Sequence, residues 1–421
     1  MITRSRVTEY PVVVLNSSVM IGLNTPLSFA GIDTGHTLIG YGAGQLMSSG
    51  VENTFVGYKA GNANSTGNSN TFIGYHAGRV STIGNSNVFC GFRAGYSNTS
   101  GTENVFCGLK SGNSNTTGSG NIYVGYHAGS SNTISGSNTF IGWNAGNNAT
   151  SGPNTFIGWN AGYTATNAGS NTCTGMRSGY KLTTGSSNAF YGHESGYWNA
   201  SAVSNALYGY QSGYFNYGNY NSFFGALSGY NNTTGTNNTF IGYNAGLLCT
   251  TGSGNTVLGY NSNLATAVGV DQIVIGNTVT SVGDTTVTIG NATANINAAY
   301  TVAATWSFSS DIRKKQNIAG TRLGLSFIND LKPVSFQFRK ASEWPQEWKS
   351  KGKDIDTKTI HQGLIAQEVK ASLDKAGVTY FAGWSEDEDG MQRVGESAFV
   401  FPLIKAVQEL TKRLETLERI H

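Results

Sequence analysis

A glycine recurs along this chain at positions 40, 57, 74, 91, 108, 125, 142, 158, 175, 192, 209, 225, 242, 259 and 276, a step of 17 residues shortened twice to 16. The text around it barely changes: NTFIGYHAG from Asn70, NTFIGWNAG from Asn138 and Asn154, NTFIGYNAG from Asn238. A short period held over so many copies excludes an ordinary globular domain, where each segment meets different surroundings. It predicts a stack of like units. Each unit holds a few β-prone residues between turn formers, too short and too glycine-rich for a helix pair. One unit therefore reads as one coil of a parallel β-solenoid or β-roll, with coils rising by about 4.8 Å. Weaker copies begin at Gly22 and Gly290.

Positions within the unit sort by chemistry. Two residues before the marker glycine stands an aromatic (Phe55, Phe72, Phe140, Phe240), followed by an aliphatic (Ile73, Ile141, Ile157, Ile241). Neighbouring strand residues point to opposite faces. A thin coil has one interior, so the second apolar face calls for another cover, most simply an identical chain. Alanine or serine three after the glycine (Ala60, Ala77, Ala145, Ser178, Ser228) suits tight packing. The expected state is a trimeric rod, although the number three does not follow from the pattern.

Two aromatic stripes follow. The first occupies the position after the glycine: Tyr41, Tyr58, Tyr75, Phe92, Tyr126, Trp143, Trp159, Tyr210, Tyr243 and Tyr260. The second comprises Tyr163, Tyr180, Tyr197, Tyr214 and Tyr230. Such rings either hold coils together as stacked ladders or offer faces to sugars. The second stripe is confined to a few coils, which makes it the candidate glycan contact. Cys90 and Cys107 share one repeat position and should stack as small apolar residues of a core. Lys59, His76, Arg79 and His127 read as isolated, solvated residues. No cysteine or histidine spacing suits a metal, and no cofactor is expected.

Composition then divides the chain. Residues 1–300 carry 15 charged side chains and residues 301–421 carry 34. The expected organisation is an attachment or capping segment (1–30), the repeat rod (31–295), a neck (296–309) and a C-terminal domain (310–421). A net charge of +3 does not suggest a nucleic-acid partner. No apolar run suggests membrane insertion, and the start does not read as a signal peptide, so synthesis in a cytoplasm is expected. Near the end, Leu403, Val407, Leu410, Leu414 and Leu417 alternate by four and three, as along a coiled-coil seam. Two heptads are too short to stand alone. The helix should pack on its own domain and on partner chains.

The same region carries a resemblance. SSDIRKKQNI (Ser309–Ile318) is similar to the S-D-x-R-x-K-x-N-I signature of the intramolecular chaperone domain of phage endosialidases and tail fibres. LKPVSFQF (Leu331–Phe338), HQGLIAQEV (His361–Val369) and FPLIKAVQEL (Phe401–Leu410) match that family's later blocks in order. The resemblance spans about residues 308–421. It implies an α+β domain ending in a coiled-coil-like helix. Such a domain trimerises, sets three fibre chains in register and then cuts itself away. By that likeness Ser310 is the nucleophile, Lys315 its base and Ser310–Asp311 the scissile bond, while Lys314 takes a position that varies in the family. Physical logic agrees: a serine needs a nearby base, and a lysine serves where burial lowers its pKa. His361 is a secondary candidate for orienting the site. Gln367 and Glu368 lie in a matching block, as readily structural as functional.

The expected function is thus a fibre of a phage or phage-like virion. Its expected partners are two like chains, a baseplate or tail protein at the N-terminus, and a host cell-surface glycan or protein. A glycan-binding adhesin is the alternative. A polysaccharide-degrading tailspike is a weaker one, because the acids of the first 300 residues (Glu9, Asp33, Glu52, Glu103, Glu194, Asp271, Asp284) are scattered.

Overall fold

The structure, a computed structural model, describes residues 12–15, 17–26, 35–300, 312–346, 348 and 357–419. The chain divides into two compact units, residues 1–309 and 310–421.

The first unit is the expected parallel β-solenoid. Strand β2 (Ser18–Ile21) pairs in parallel with β3 (Thr37–Ile39), and β3 with β4 (Thr54–Val56). The pairing continues at one strand per coil through β16 (Thr256–Leu258), β17 (Ile273–Asn277) and β18 (Thr286–Asn291). Equivalent residues sit directly over one another: Phe72 pairs with Phe89 and Ile73 with Cys90. The two 16-residue steps keep this register, with Phe140 on Phe156 and Leu207 on Phe223. Each shortfall is therefore absorbed outside the strand. An antiparallel hairpin closes either end, β1 (Val12–Leu15) on β2 and β19 (Asn295–Ala299) on β18. These hairpins cover strand edges that would otherwise invite further pairing.

In each three-residue strand only the middle residue points inward. Phe55, Phe72, Phe89, Phe106, Tyr123, Phe140 and Phe156 are all fully buried. Their rings stack at centroid distances of 4.6–5.0 Å. Burying each such ring contributes about 1.5–3 kcal/mol. Opposite the ring sits the small residue. As alanine it fills the space, and as serine its hydroxyl donates to the strand carbonyl of the next coil (Ser178 to Phe190 at 3.1 Å, Ser228 to Phe240 at 2.9 Å). Interior volume is conserved within a coil: where Cys173 replaces the usual ring, the buried Leu182 takes a place held elsewhere by Asn98 or Asn115.

Two backbone features make the coil this narrow. The marker glycine adopts a positive φ, +133° at Gly142, where a Cβ would lie 2.5 Å from the Gly158 carbonyl oxygen. Four residues later Gly146 lies against Phe140, whose ring a Cβ would meet at 2.6 Å. The asparagine that opens each strand is the third constraint, and the sequence reading passed over it. Asn104 shows the pattern: its main-chain N–H and side-chain Nδ2 both donate to Asn87 Oδ1 (3.0 and 3.1 Å). The same Nδ2 donates to the Gly118 carbonyl (2.9 Å), and the Asn104 Oδ1 accepts from the N–H of Asn121 (3.0 Å). This buried ladder runs from Asn53 to Asn255 and ends on Gln272.

The outward positions form columns. Ile73, Ile141, Ile157, Tyr191, Phe224, Ile241 and Leu258, each third in its strand, leave an exposed apolar face along one side. Cys90 and Cys107 pair in register as expected but belong to this half-exposed column, not to the core. The interior thiols are Cys173 and Cys249, and burial raises both above the ordinary range, Cys249 to about 12. The basic residues are not isolated either. Lys59, His76 and His127 share one repeat position with Arg93 and Lys110, so folding gathers them into a single column.

The second unit is small and mixed. Helix α1 (Leu325–Asp330) packs against α2 (Ala366–Lys375) and α3 (Val400–Glu418). Leu323, Phe327, Val369, Leu373 and Phe399 form its core. Two antiparallel pairs complete it, β20 (Val334–Phe336) with β21 (His361–Gly363) and β22 (Trp384–Glu386) with β23 (Gln392–Val394).

Removing the Asn104 rung strands one buried group, the Asn121 N–H, while the Gly118 carbonyl keeps its second donor, Asn115 Nδ2 at 3.0 Å. Asn104→Ala should therefore destabilise the rod by about 1–3 kcal/mol, the cost of one unsatisfied buried group. Thr66→Ala, on an exposed turn, should stay within about 0.5 kcal/mol. Equal denaturant resistance of the two variants would show the ladder to be dispensable. A second expectation concerns pH. Burial lowers the His76 pKa from 6.5 to about 4, and nearby Arg79, Arg93 and Lys59 push the same way. Between those values the unfolded chain binds more protons than the folded one, so stability falls as the pH drops from 6.5 towards 4. His76→Asn should lose less melting temperature than the wild type between pH 7 and pH 4.5; parallel losses would refute this.

Candidate functional site

The described residues of the C-terminal unit begin at Ile312, just after the expected scissile bond. Ile312–Lys314 form a single 3-10 turn, and the Lys315 N–H donates to the Ile312 carbonyl at 3.0 Å. The Lys315 side chain is solvent-exposed in the single chain. Ser310 and Asp311, the expected nucleophile and scissile bond, lie outside the described residues, as do residues 301–309 of the expected neck.

His361 is held by a pairing between strands distant in sequence. It opens β21 opposite Phe336, with its ring 5.7 Å from that of Phe336 and 5.0 Å from that of Phe338. Gln367 and Glu368 fall in the first turn of α2; Gln367 is exposed, and Glu368 stands 3.9 Å from Lys332. Both fit a structural role at the surface of that helix.

Helix α3 divides its faces. Pro402 and Ala406 are buried, and Glu409 reaches α1, where its Oε2 accepts the Leu325 N–H at 2.8 Å. This anchors one face to the unit's own core. Leu403, Val407, Leu410, Leu414 and Leu417 occupy the other, 47–60% exposed. Leu403 also lines a shallow hollow with Ile328, Leu331, Leu364 and Phe399. The seam legible in the sequence is thus an open apolar edge of the unit.

On the rod, the five candidate tyrosines form one column. Tyr163, Tyr180, Tyr197, Tyr214 and Tyr230 stack in order at 5.1–5.3 Å. Their inner ring faces lie on one another, so the column offers solvent mainly edges and hydroxyls. The first aromatic stripe behaves likewise, with Tyr41, Tyr58, Tyr75 and Phe92 stacked at 5.2–5.3 Å. Both stripes are therefore ladders that tie coils together. Glu194, beside the tyrosine column, is held by Arg177 at 3.3 Å and by Gln211 Nε2 at 2.8 Å. Among the described residues no group of histidine, cysteine and carboxylate side chains could hold a metal. No described helix is long and apolar enough to cross a membrane.

No curated protein and no solved structure matches the chain significantly. The family model described as the chaperone of endosialidase does, over residues 310–378. The match begins at Ser310, where the second compact unit also begins, and takes in Lys315, His361 and the hydrophobic core through α2. The solenoid is followed, from Ser310 onward, by a domain of the chaperone of endosialidase family, the arrangement of a fibre or tailspike with a C-terminal chaperone.

Proposed function

We propose that this chain is the structural fibre of a phage or phage-like particle, assembled as a homotrimer by its C-terminal domain. That domain then releases itself by cutting at Ser310–Asp311. The observation that carries this reading is the open leucine seam of α3, in the unit whose first residues match the chaperone family. Five apolar residues on one edge of a small soluble unit favour burial against like helices. The apolar column of the rod offers a second surface for the same partners. In this reading the N-terminal segment attaches to a baseplate or tail protein, and the rod meets a host surface.

Cleavage follows from assembly. Ser310 supplies the hydroxyl and Lys315 takes its proton. A lysine amine can do so only where desolvation or nearby positive charge lowers its pKa. Lys315 is exposed in the single chain, so the covering would come from the partner chains. The Ser310 hydroxyl of one chain then attacks the carbonyl of the Ser310–Asp311 bond in a neighbouring chain. The lysine passes the proton to the Asp311 nitrogen as that C–N bond breaks, and water hydrolyses the resulting ester to a carboxylate on residue 310, restoring the serine hydroxyl.

A glycan-binding adhesin is a second reading, in which the five stacked tyrosines would hydrogen-bond a sugar through their hydroxyls, since their ring faces cover one another. A polysaccharide-degrading tailspike has less support, since Glu194 is already engaged by Arg177 and Gln211.

Ser310→Ala should leave one full-length species of 44.5 kDa, where the wild type yields fragments 1–310 and 311–421. A mutant that still splits near residue 310 removes the serine from the mechanism. Leu410→Glu with Leu414→Glu should abolish both trimerisation and cutting while leaving the unit's helical signal intact. A monomeric variant that still cuts would show that Lys315 needs no partner chain.

A further inference from the structure

In every coil the residue two after the marker glycine adopts the left-handed conformation, and in five successive coils that residue is basic: Lys59, His76, Arg93, Lys110 and His127, with φ between 52° and 57°. Backbone bonds fix each to the coil before it. The His76 N–H donates to the Tyr58 carbonyl at 2.9 Å, Arg93 to Tyr75 at 2.9 Å, and Lys110 to Phe92 at 2.8 Å. Three cations (Lys59, Arg93 and Lys110) and two imidazoles are thus delivered at one per coil, about 4.8 Å apart.

The local chemistry holds them in place without neutralising them. Arg79 Nη1 donates to the Tyr96 hydroxyl at 2.9 Å, and the guanidinium carbons of Arg79 and Arg93 lie 5.7 and 5.3 Å from the Tyr96 ring centre. Lys59 lies over Tyr58 at 5.4 Å. Among the described residues, no carboxylate pairs with any of these cations. The same column shows the contrast further along, where Arg177 meets Glu194 at 3.3 Å in the next coil. Like charges set side by side on neighbouring strands repel. An external anion would relieve that repulsion.

Unused donors point the same way. His76 is only 6% exposed, and neither ring nitrogen has a hydrogen-bond partner. Arg93 Nε and His127 Nε2 are also unpaired.

We propose that Lys59, Arg93, Lys110 and His127, with Arg79 and set around the buried His76, form a binding strip for a linear anionic glycan lying along the rod axis. Its repeating unit would carry a carboxylate or a phosphate. Guanidinium groups suit either anion through paired hydrogen bonds. Nucleic acid fits less well, because single strands are held by stacking bases on open aromatic faces. Here Tyr58, Tyr75 and Phe92 already cover one another. The inference rests on the reading of the rod as the part that meets a surface, and names the ligand class it would find there.

The test uses the full chain and four probes: polygalacturonate for carboxylate, a glycerol-phosphate polymer for phosphate, neutral dextran, and single-stranded DNA. Asparagine tolerates the left-handed position, as Asn144 and Asn160 show, so Arg93→Asn with Lys110→Asn keeps the fold. The wild type should bind at least one anionic glycan and not dextran. The double variant should bind it at least tenfold more weakly and with a shallower salt dependence, while Lys181→Gln, a cation removed elsewhere on the rod, should change binding less than twofold. Which polymer binds decides between carboxylate and phosphate. The proposal is overturned if neither glycan binds, if the double variant binds normally, if Lys181→Gln weakens binding equally, or if DNA binds tighter than both. Adhesion to intact host cells, measured in parallel, separates the two readings. Cell binding without glycan binding overturns this strip and leaves the surface-contact reading standing. Glycan binding without cell binding does the reverse.

Discussion

The rod depends on an interior only one side chain wide. A coil of 17 residues with a single short strand can enclose one ring, one small residue and two short side chains, usually asparagines, and little else. Each inward position is therefore satisfied mainly by its own equivalents in the coils above and below. The phenylalanines stack on phenylalanines, and asparagines bond to asparagines. A buried amide with no partner costs about 1–3 kcal/mol, so the ladder tolerates substitution only where a neighbour compensates. The step from Asn255 to Gln272 near the end of the stack shows one such compensation, with the Gln272 N–H still bonded to the Asn255 side chain.

That dependence has a consequence for assembly. If every coil is satisfied by a copy of itself, a chain displaced by one coil against its neighbour meets nearly the same surface. Register between chains is then weakly specified. Interchain β association is also non-local, slow and prone to aggregation. In the proposed trimer, a C-terminal unit with its own core and an open leucine seam would solve a problem the rod cannot solve by itself, because its sequence does not repeat. Removing that unit afterwards would leave the rod protected by a high unfolding barrier.

Much of this was legible in the sequence, and the misses share a cause. The period, the parallel stacking, the inward ring and the small residue opposite it follow from repetition and from strand alternation. The α3 seam follows from its spacing of four and three. The asparagine ladder was missed because asparagine reads as a turn former, and its burial is created by the coil next to it. The basic column was missed because Lys59, His76 and His127 are far apart in sequence and of different types; only the 17-residue period brings them together. Cys90 and Cys107 were placed in the core because their strand position was recognised but not which side of the strand faced outward. Ser310 and Asp311 are expected from family likeness alone and lie outside the described residues, so the fold adds nothing to that expectation.

The most direct measurement is the solution mass of the rod made with and without its C-terminal unit. Full-length chain and residues 1–309 expressed alone would be compared by light scattering after identical purification. If register is set from outside the rod, the full-length chain gives a single trimeric mass, and residues 1–309 alone give a spread of larger and smaller species. A rod that reaches the same sharp trimeric mass without residues 310–421 would contradict it.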